Sequence, residues 1–372
     1  MRTAAALDMT HPRLTVRAVR AVGVKVPMCF VLGTSAATVR AAPLLLIDVE
    51  TEEGVMGHAW QFCYVDAAAP AIARLLDVVL EGVKGERVNP PALWAAHAKR
   101  FRLIGVEGIV RMAMAMFDVA CWDALAQAAG LPLARYLGGE ARPVPAYNSN
   151  GLGLMPEPQL ADEAEKLLAG GFRAVKLRLG YPTLEDDVAA LRAVRRRVRD
   201  EIAIPVDYNQ ALSVDEAIRR GQALESEGAY WLEEPIRHDD YAGCARIAKV
   251  LALPVQIGEN FSQVYNMEKA LDARACDYVM PDLERIGGVT GWQSAAALAQ
   301  ARGIKMSSHL YPEVSAHLLA ATPTAHWLEY VDWANPVLAE PLRIVDGMAV
   351  AADRPGNGLA WNDAAVARYR MP

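Results

Sequence analysis

Asp207, Glu233 and Glu259 recur 26 residues apart, each closing a short apolar run. Those runs, Ile204-Pro205-Val206, Tyr230-Trp231-Leu232 and Val255-Gln256-Ile257, are too short for helices and have strand composition. Between them, 213–226 and 238–250 are amphipathic and of helical length. One strand, one loop and one helix fill each period. In a parallel barrel this period predicts three carboxylates side by side at the carboxyl ends of neighbouring strands, the face where barrel enzymes keep their chemistry.

The same alternation runs on either side of these three. From Gly138-Gly139 onward, strand candidates fall at 144–149, 174–179, 204–208, 230–233, 255–258, 278–281, 304–308 and 327–330. Eight strands close a parallel barrel. The chain before them reads differently. Alternating strands are predicted over 14–27, 43–50 and 55–60, with a turn at Glu52-Glu53-Gly54 between the last two, and helices over 67–83, 90–99 and 108–128. Strands followed by helices make a separate α+β unit. The expected architecture is therefore α/β: an α+β capping domain over 1–138, with 1–13 a frayed tail, and a TIM-like barrel over 139–340. A segment at 341–372 is expected to pack back on the cap.

Composition narrows the partners. A net charge of −6 offers no basic surplus for phosphates, so no nucleic-acid partner is expected. The arginines at 192, 195, 196, 197 and 199 lie on a predicted solvent-facing helix. Five scattered cysteines without a C-x-x-C pair suit reduced thiols in the cytoplasm. Met1 to Leu14 lacks a signal-peptide core, and the longest apolar runs are of strand length, so no membrane partner is expected either.

Several residues at the strand ends carry chemistry. Three clustered carboxylates repel one another unless a cation neutralises them, and an all-oxygen donor set suits Mg2+. Lys176 and Arg178 stand at i and i+2 on one strand and so share a face. Asp282 and His309 end adjacent strands, which predicts an Asp–His dyad in which the carboxylate sets the tautomer of a base. Glu329, on the last strand, is expected to be a carboxylic acid that donates to developing negative charge. The Gly287-Gly288-Val289-Thr290-Gly291 run lacks either phosphate-loop pattern and reads as a tight turn into a helix. Together these groups suit abstraction of a proton α to a carboxylate, with metal and Lys176 stabilising the enediolate.

These motifs, with Val26-Pro27, Ala42-Pro43 and the stretch from Ser315 to Glu329, resemble the enolase superfamily and, within it, the mandelate racemase family. The resemblance implies a (β/α)7β barrel under a capping domain, Mg2+ as cofactor, a small-molecule carboxylate as substrate and a homo-oligomer. It also implies roles: Asp207, Glu233 and Glu259 as metal ligands, Lys176 as carboxylate binder, and His309 with Asp282 as base. Glu329 would bond the substrate carboxylate, Ser149 and Asn209 would line the site, and Leu32, Val39, Phe62 and Tyr64 would wall the substrate pocket. One position departs from the family pattern: Arg178 replaces the lysine that serves as the second base. The leading expectation is a racemase or epimerase of an α-hydroxy acid with an apolar or aromatic substituent. The alternative is a sugar-acid dehydratase with His309 as its main base, and a third reading is a non-catalytic metal and carboxylate binder.

Overall fold

The structure, a computed structural model, describes residues 12–372. The tail expected over 1–13 therefore falls, through residue 11, outside the described residues, and Leu14 already lies in the core.

The cap opens with three antiparallel strands, β1 (Val16–Gly33), β2 (Thr38–Thr51) and β3 (Met56–Phe62), in that spatial order. Gly54, at φ +83°, makes the turn between β2 and β3 in a region that favours glycine. The far ends of β1 and β2 continue as a two-stranded hairpin that pairs Leu32 with Val39 beyond a register shift after Pro27. The helices α1 (Ala68–Glu81), α2 (Pro90–Arg100) and α3 (Gly108–Ala128) complete the cap. α3 is buried along most of its length because it packs against both the cap sheet and the barrel helices. β3 approaches α3 so closely that a methyl on Gly57 would collide with the carbonyl of Ala120.

Two acids on α3 pin the cap to the rest of the chain. Asp118 accepts from Thr290 N (3.0 Å) and Oγ1 (2.5 Å), holding the start of a barrel helix. Asp123 accepts from His58 N at 2.8 Å and Asn357 N at 2.5 Å, joining β3 to the C-terminal segment. A carboxylate offered to unpaired N–H groups of a helix start is favourable both as a hydrogen bond and against the helix dipole.

After the short α4 (Leu133–Tyr136), strands and helices alternate. The barrel strands are β4 (Val144–Asn148), β5 (Leu177–Arg178), β6 (Val206–Asp207), β7 (Leu232–Glu233), β8 (Val255–Ile257), β9 (Tyr278–Val279), β10 (Lys305–Met306) and β11 (Leu328–Tyr330). Between them come α5 (Glu157–Leu168), α6 (Leu184–Arg197), α7 (Val214–Ser226), α8 (Tyr241–Val250), α9 (Val264–Asp272), then α10 (Leu283–Ile286) with α11 (Gly288–Arg302), and α12 (Pro312–Ala320). β5 to β10 pair in parallel in chain order, and β4 pairs with β11. Single bridges, Asn148 with Val175 and Met306 with Ala325, close the ring. The regular ladders are shorter than the apolar runs predicted, since pairing outside two or three residues per strand is carried by bridges and isolated hydrogen bonds.

The C-terminal segment departs from expectation in its hairpin alone. Its hairpin, β12 (Arg343–Val345) and β13 (Met348–Val350), does not join the cap but extends the barrel beside β4. The stretch after the hairpin packs on the cap: Leu133 N donates to Gly356 O at 2.7 Å, Asn357 N to Asp123, Trp361 Nε1 to Asp48 at 2.7 Å, and Met371 N to Gly23 O at 2.9 Å. The edge of β4 has unpaired N–H and C=O groups to satisfy, and the nearby hairpin meets them. α13 (Asp363–Tyr369) ends the chain. No helix among the described residues is long and apolar enough to cross a membrane.

Because Gly57 has no room for a side chain, Gly57→Ala should force β3 away from α3 and cost about 1–3 kcal/mol of stability. A lowered urea midpoint or melting temperature checks this, and an unchanged value would count against the close approach.

Candidate active site

Lys176 lies at the centre of the barrel mouth and is 2% exposed. Its ammonium contacts Glu233 Oε1 at 2.6 Å, Glu329 Oε1 at 2.8 Å and Asp207 Oδ2 at 3.2 Å, and stands 5.9 Å above the ring of Tyr147. Burial works against the charged amine, but the three carboxylates outweigh it and hold its pKa well above the ordinary lysine value. Period-two geometry puts Arg178 on the same face, where it is equally buried.

The three periodic acids stand at the predicted strand ends. Asp207 Oδ1 accepts from Asn209 N at 2.8 Å and its Oδ2 from Asn209 Nδ2 at 3.1 Å, aided by a left-handed turn at Asn209 and Gln210. Glu233 Oε2 takes Trp231 Nε1 at 2.9 Å and Gln256 Nε2 at 3.2 Å. Glu259 leans toward His309, with Oε2 3.2 Å from Nε2. Among the described residues no three such groups form a ready metal cage, because Lys176 neutralises two of these acids and His309 faces the third. The donors nevertheless fit a hard divalent cation: all are carboxylate oxygens, and Asn209 Oδ1 is buried beside Asp207 without a partner.

The Asp–His dyad is present. His309 Nδ1 lies 2.6 Å from Asp282 Oδ2, while Asp282 Oδ1 caps α10 by accepting from Glu284 N at 2.8 Å and Arg285 N at 3.1 Å. Bonded at both oxygens, Asp282 fixes the ring and leaves Nε2 facing the mouth. Burial lowers the affinity of His309 for a proton, but Glu259, Glu329 and Asp282 overcome it and raise its pKa to about 10 in the chain alone.

Glu329 differs from the sequence expectation of a protonated acid. Burial favours the neutral form, yet Lys176 and His309 hold its pKa well below the usual carboxylate range. Its Oε1 accepts from Ser149 Oγ at 2.7 Å and its Oε2 from Leu310 N at 2.8 Å, so it is an acceptor, not a donor.

Arg178 is pinned. Nη1 donates to Gly151 O at 2.7 Å, and Nη2 to Ser149 O at 3.0 Å and Ser149 Oγ at 3.1 Å. Its Nε is buried without a partner, and none of the carboxylates of the described residues forms an ion pair with it. Both terminal nitrogens are thus committed as donors.

The cap hairpin reaches over this mouth. Ser35 Oγ donates to Tyr208 O at 3.0 Å, which seats the Leu32 and Val39 pair near the end of β6. The rings of Phe62 and Tyr64 pack at a tilt of 51° with centroids 4.5 Å apart, and Tyr64 Oη accepts from Arg285 Nη2 at 2.6 Å. Sequence reasoning overlooked Arg285, which also donates to Asn260 Oδ1 at 2.8 Å, and Glu234, which is 2% exposed and accepts from Asn260 Nδ2. The doubled acid in Trp231-Leu232-Glu233-Glu234-Pro235 was the available signal for Glu234.

Comparison with known proteins places this geometry in context. Residues 159–365 match the family described as enolase C-terminal domain-like, and residues 16–138 match the mandelate racemase / muconate lactonizing enzyme N-terminal domain. The 3,6-anhydro-α-L-galactonate cycloisomerase of Streptomyces coelicolor is 32% identical over 85% of this chain and 88% of its own. The L-talarate/galactarate dehydratase of Salmonella typhimurium is 34% identical over 75% of this chain and 69% of its own. A crystal structure of an enolase from Bradyrhizobium complexed with magnesium and mandelic acid superposes with a TM-score of 0.93, at 39% identity, over 97% of this chain and 99% of that one.

Removal of the Lys176 charge should leave buried acids uncompensated. Lys176→Met is expected to lose about 3–5 kcal/mol without divalent cation, and Mg2+ should raise its melting temperature more than that of the wild type. Equal Mg2+ shifts in both proteins would count against a cation binding among these acids.

Proposed function

The chain belongs to the mandelate racemase and muconate lactonizing enzyme family of the enolase superfamily, and on that premise we propose that it is a Mg2+-dependent dehydratase of acid sugars. The observation that carries this reading is the pinning of Arg178, which leaves His309 as the one base. The sugar-acid names of the cited cycloisomerase and dehydratase support the same substrate class.

Asp207, Glu233 and Glu259 would hold the metal, whose charge stabilises the oxyanion that develops as the α-proton leaves. Lys176 adds a second positive charge at the substrate carboxylate, and Ser149, bonded to Glu329, stands beside it. His309 Nε2 takes the α-proton, and Asp282 supports the resulting imidazolium through Nδ1. The same imidazolium then returns that proton to the departing β-hydroxyl, so water leaves and the enol product tautomerises to a keto acid. Arg178 remains a cation throughout. The unpartnered Asn209 Oδ1 suits a substrate hydroxyl, which a polyol supplies.

A second reading is retained because the cap offers apolar side chains. Leu32, Val39 and Phe62 suit a racemase or epimerase of an α-hydroxy acid with an aromatic or apolar substituent, as does the mandelic acid in the Bradyrhizobium structure. Racemisation needs a base on the opposite face, where Arg178 stands. Lowering a guanidinium from ~12.5 to about 7 costs on the order of 8 kcal/mol.

Incubation with a panel of sugar acids in D2O should give keto acid and one-sided α-proton exchange, both abolished by EDTA and restored by Mg2+. Exchange of both enantiomers of an aromatic α-hydroxy acid at similar, pH-flat rates would instead favour the racemase. His309→Asn is expected to lower kcat by about 10²–10⁴; a wild-type rate in this variant would remove His309 from its role.

A further inference from the structure

Below the mouth, the barrel interior carries polar side chains that the chemistry above does not use. Gln256, on β8, is 0% exposed. Its Nε2 lies 3.2 Å from Glu233 Oε2 and 3.2 Å from Met280 Sδ, while its Oε1 accepts from Ser307 Oγ at 3.1 Å. Ser307, just past β10, is also fully buried. Its oxygen faces Trp327 N and His326 Nδ1, each at 3.4 Å. The ring of His326 packs on Tyr278 at 4.6 Å and on Trp231 at 5.9 Å. Trp231 Nε1 donates at 2.9 Å to the oxygen of Glu233 that Gln256 reaches. The run thus returns to its starting point.

A primary amide in a barrel core is costly unless both its ends are bonded, and an apolar side chain could fill the same volume. An amide can also sit either way round. The carboxylate on one side decides between the two, since Glu233 Oε2 can only accept and so takes Nε2, which leaves Oε1 to accept from Ser307 Oγ. With Trp231 and Gln256 both on Oε2, Glu233 turns Oε1 toward Lys176 and the mouth.

We propose that Gln256 is a positioning residue for the metal site: its amide, anchored at Oε1 by Ser307, holds Glu233 with its own Oε1 facing the cation and so sets the affinity for Mg2+. The inference rests on the reading of Asp207, Glu233 and Glu259 as metal ligands. Hydrogen bonds to the outer side of a ligating carboxylate fix its direction and basicity, and their loss weakens metal binding.

Calorimetric titration of the full-length, metal-free chain with Mg2+, without substrate, tests this. Gln256→Met, which keeps length and volume but cannot donate, should bind Mg2+ about 10–100-fold more weakly. Ser307→Ala, which removes the bond that anchors Oε1, should weaken binding by less, about 3–10-fold, and it decides the matter alone if Gln256→Met does not fold. A metal-free melting temperature measured beside each titration separates packing from positioning. Lowered melting with unchanged Mg2+ affinity in either folded variant would overturn the inference while leaving the ligand assignment standing. If the wild type binds no Mg2+, or Glu233→Gln binds it as tightly as the wild type, the ligand assignment falls and the inference with it.

Discussion

The groups around Lys176 are placed by the need to neutralise buried carboxylates. Asp207, Glu233 and Glu329 converge on one ammonium, Lys176, in surroundings that exclude water. At close range and reduced dielectric, each such contact is worth several times its value on the surface, but desolvation opposes it, so the cluster survives only with good geometry and further hydrogen bonds. The structure supplies those from Trp231, Gln256, Asn209, Ser149 and the backbone of Leu310. A rigid barrel is the scaffold that can hold so many donors in register.

The same demand ties the cap to the barrel. Asp118 holds the start of α11, immediately beyond the loop that carries Asp282, so the dyad is steadied from the cap as well as from β9. Tyr311, two residues past His309, bonds Glu284 and accepts from Phe62 N at 3.3 Å. Arg285 joins Tyr64 of the cap to Asn260 beside Glu259. The wall that would meet substrate and the groups that would act on it therefore share supports, and a change in one is felt by the other.

On the proposed reading, arginine at 178 would shape the chemistry more than any cap residue. A lysine there could lose its proton beside a second cation, whereas the guanidinium donates to two backbone carbonyls and a hydroxyl and is fixed in place. One base and one fixed cation suit elimination, in which a single imidazole carries the proton from carbon to oxygen. The apolar side chains overhead bear on which substituent enters, not on how many bases are available.

The sequence by itself determined the barrel, the cap and the places where the acids fall. Strand and helix periodicities are local, and the 26-residue spacing of Asp207, Glu233 and Glu259 follows from the length of one βα unit. The pairing of Asp282 with His309 followed in the same way, from two strand ends at one level. Only the tertiary structure decided charge and direction. Glu329 was expected as an acid and is an ionised acceptor, because Lys176, 153 positions away in the chain, lies 2.8 Å from it. The hairpin at 343–350 joined β4 because that edge had unpaired groups. Gln256 looked like one more strand residue until the fold brought Glu233 and Ser307 to its two ends. Protonation and orientation depend on neighbours remote in sequence, and no local pattern records who those neighbours are.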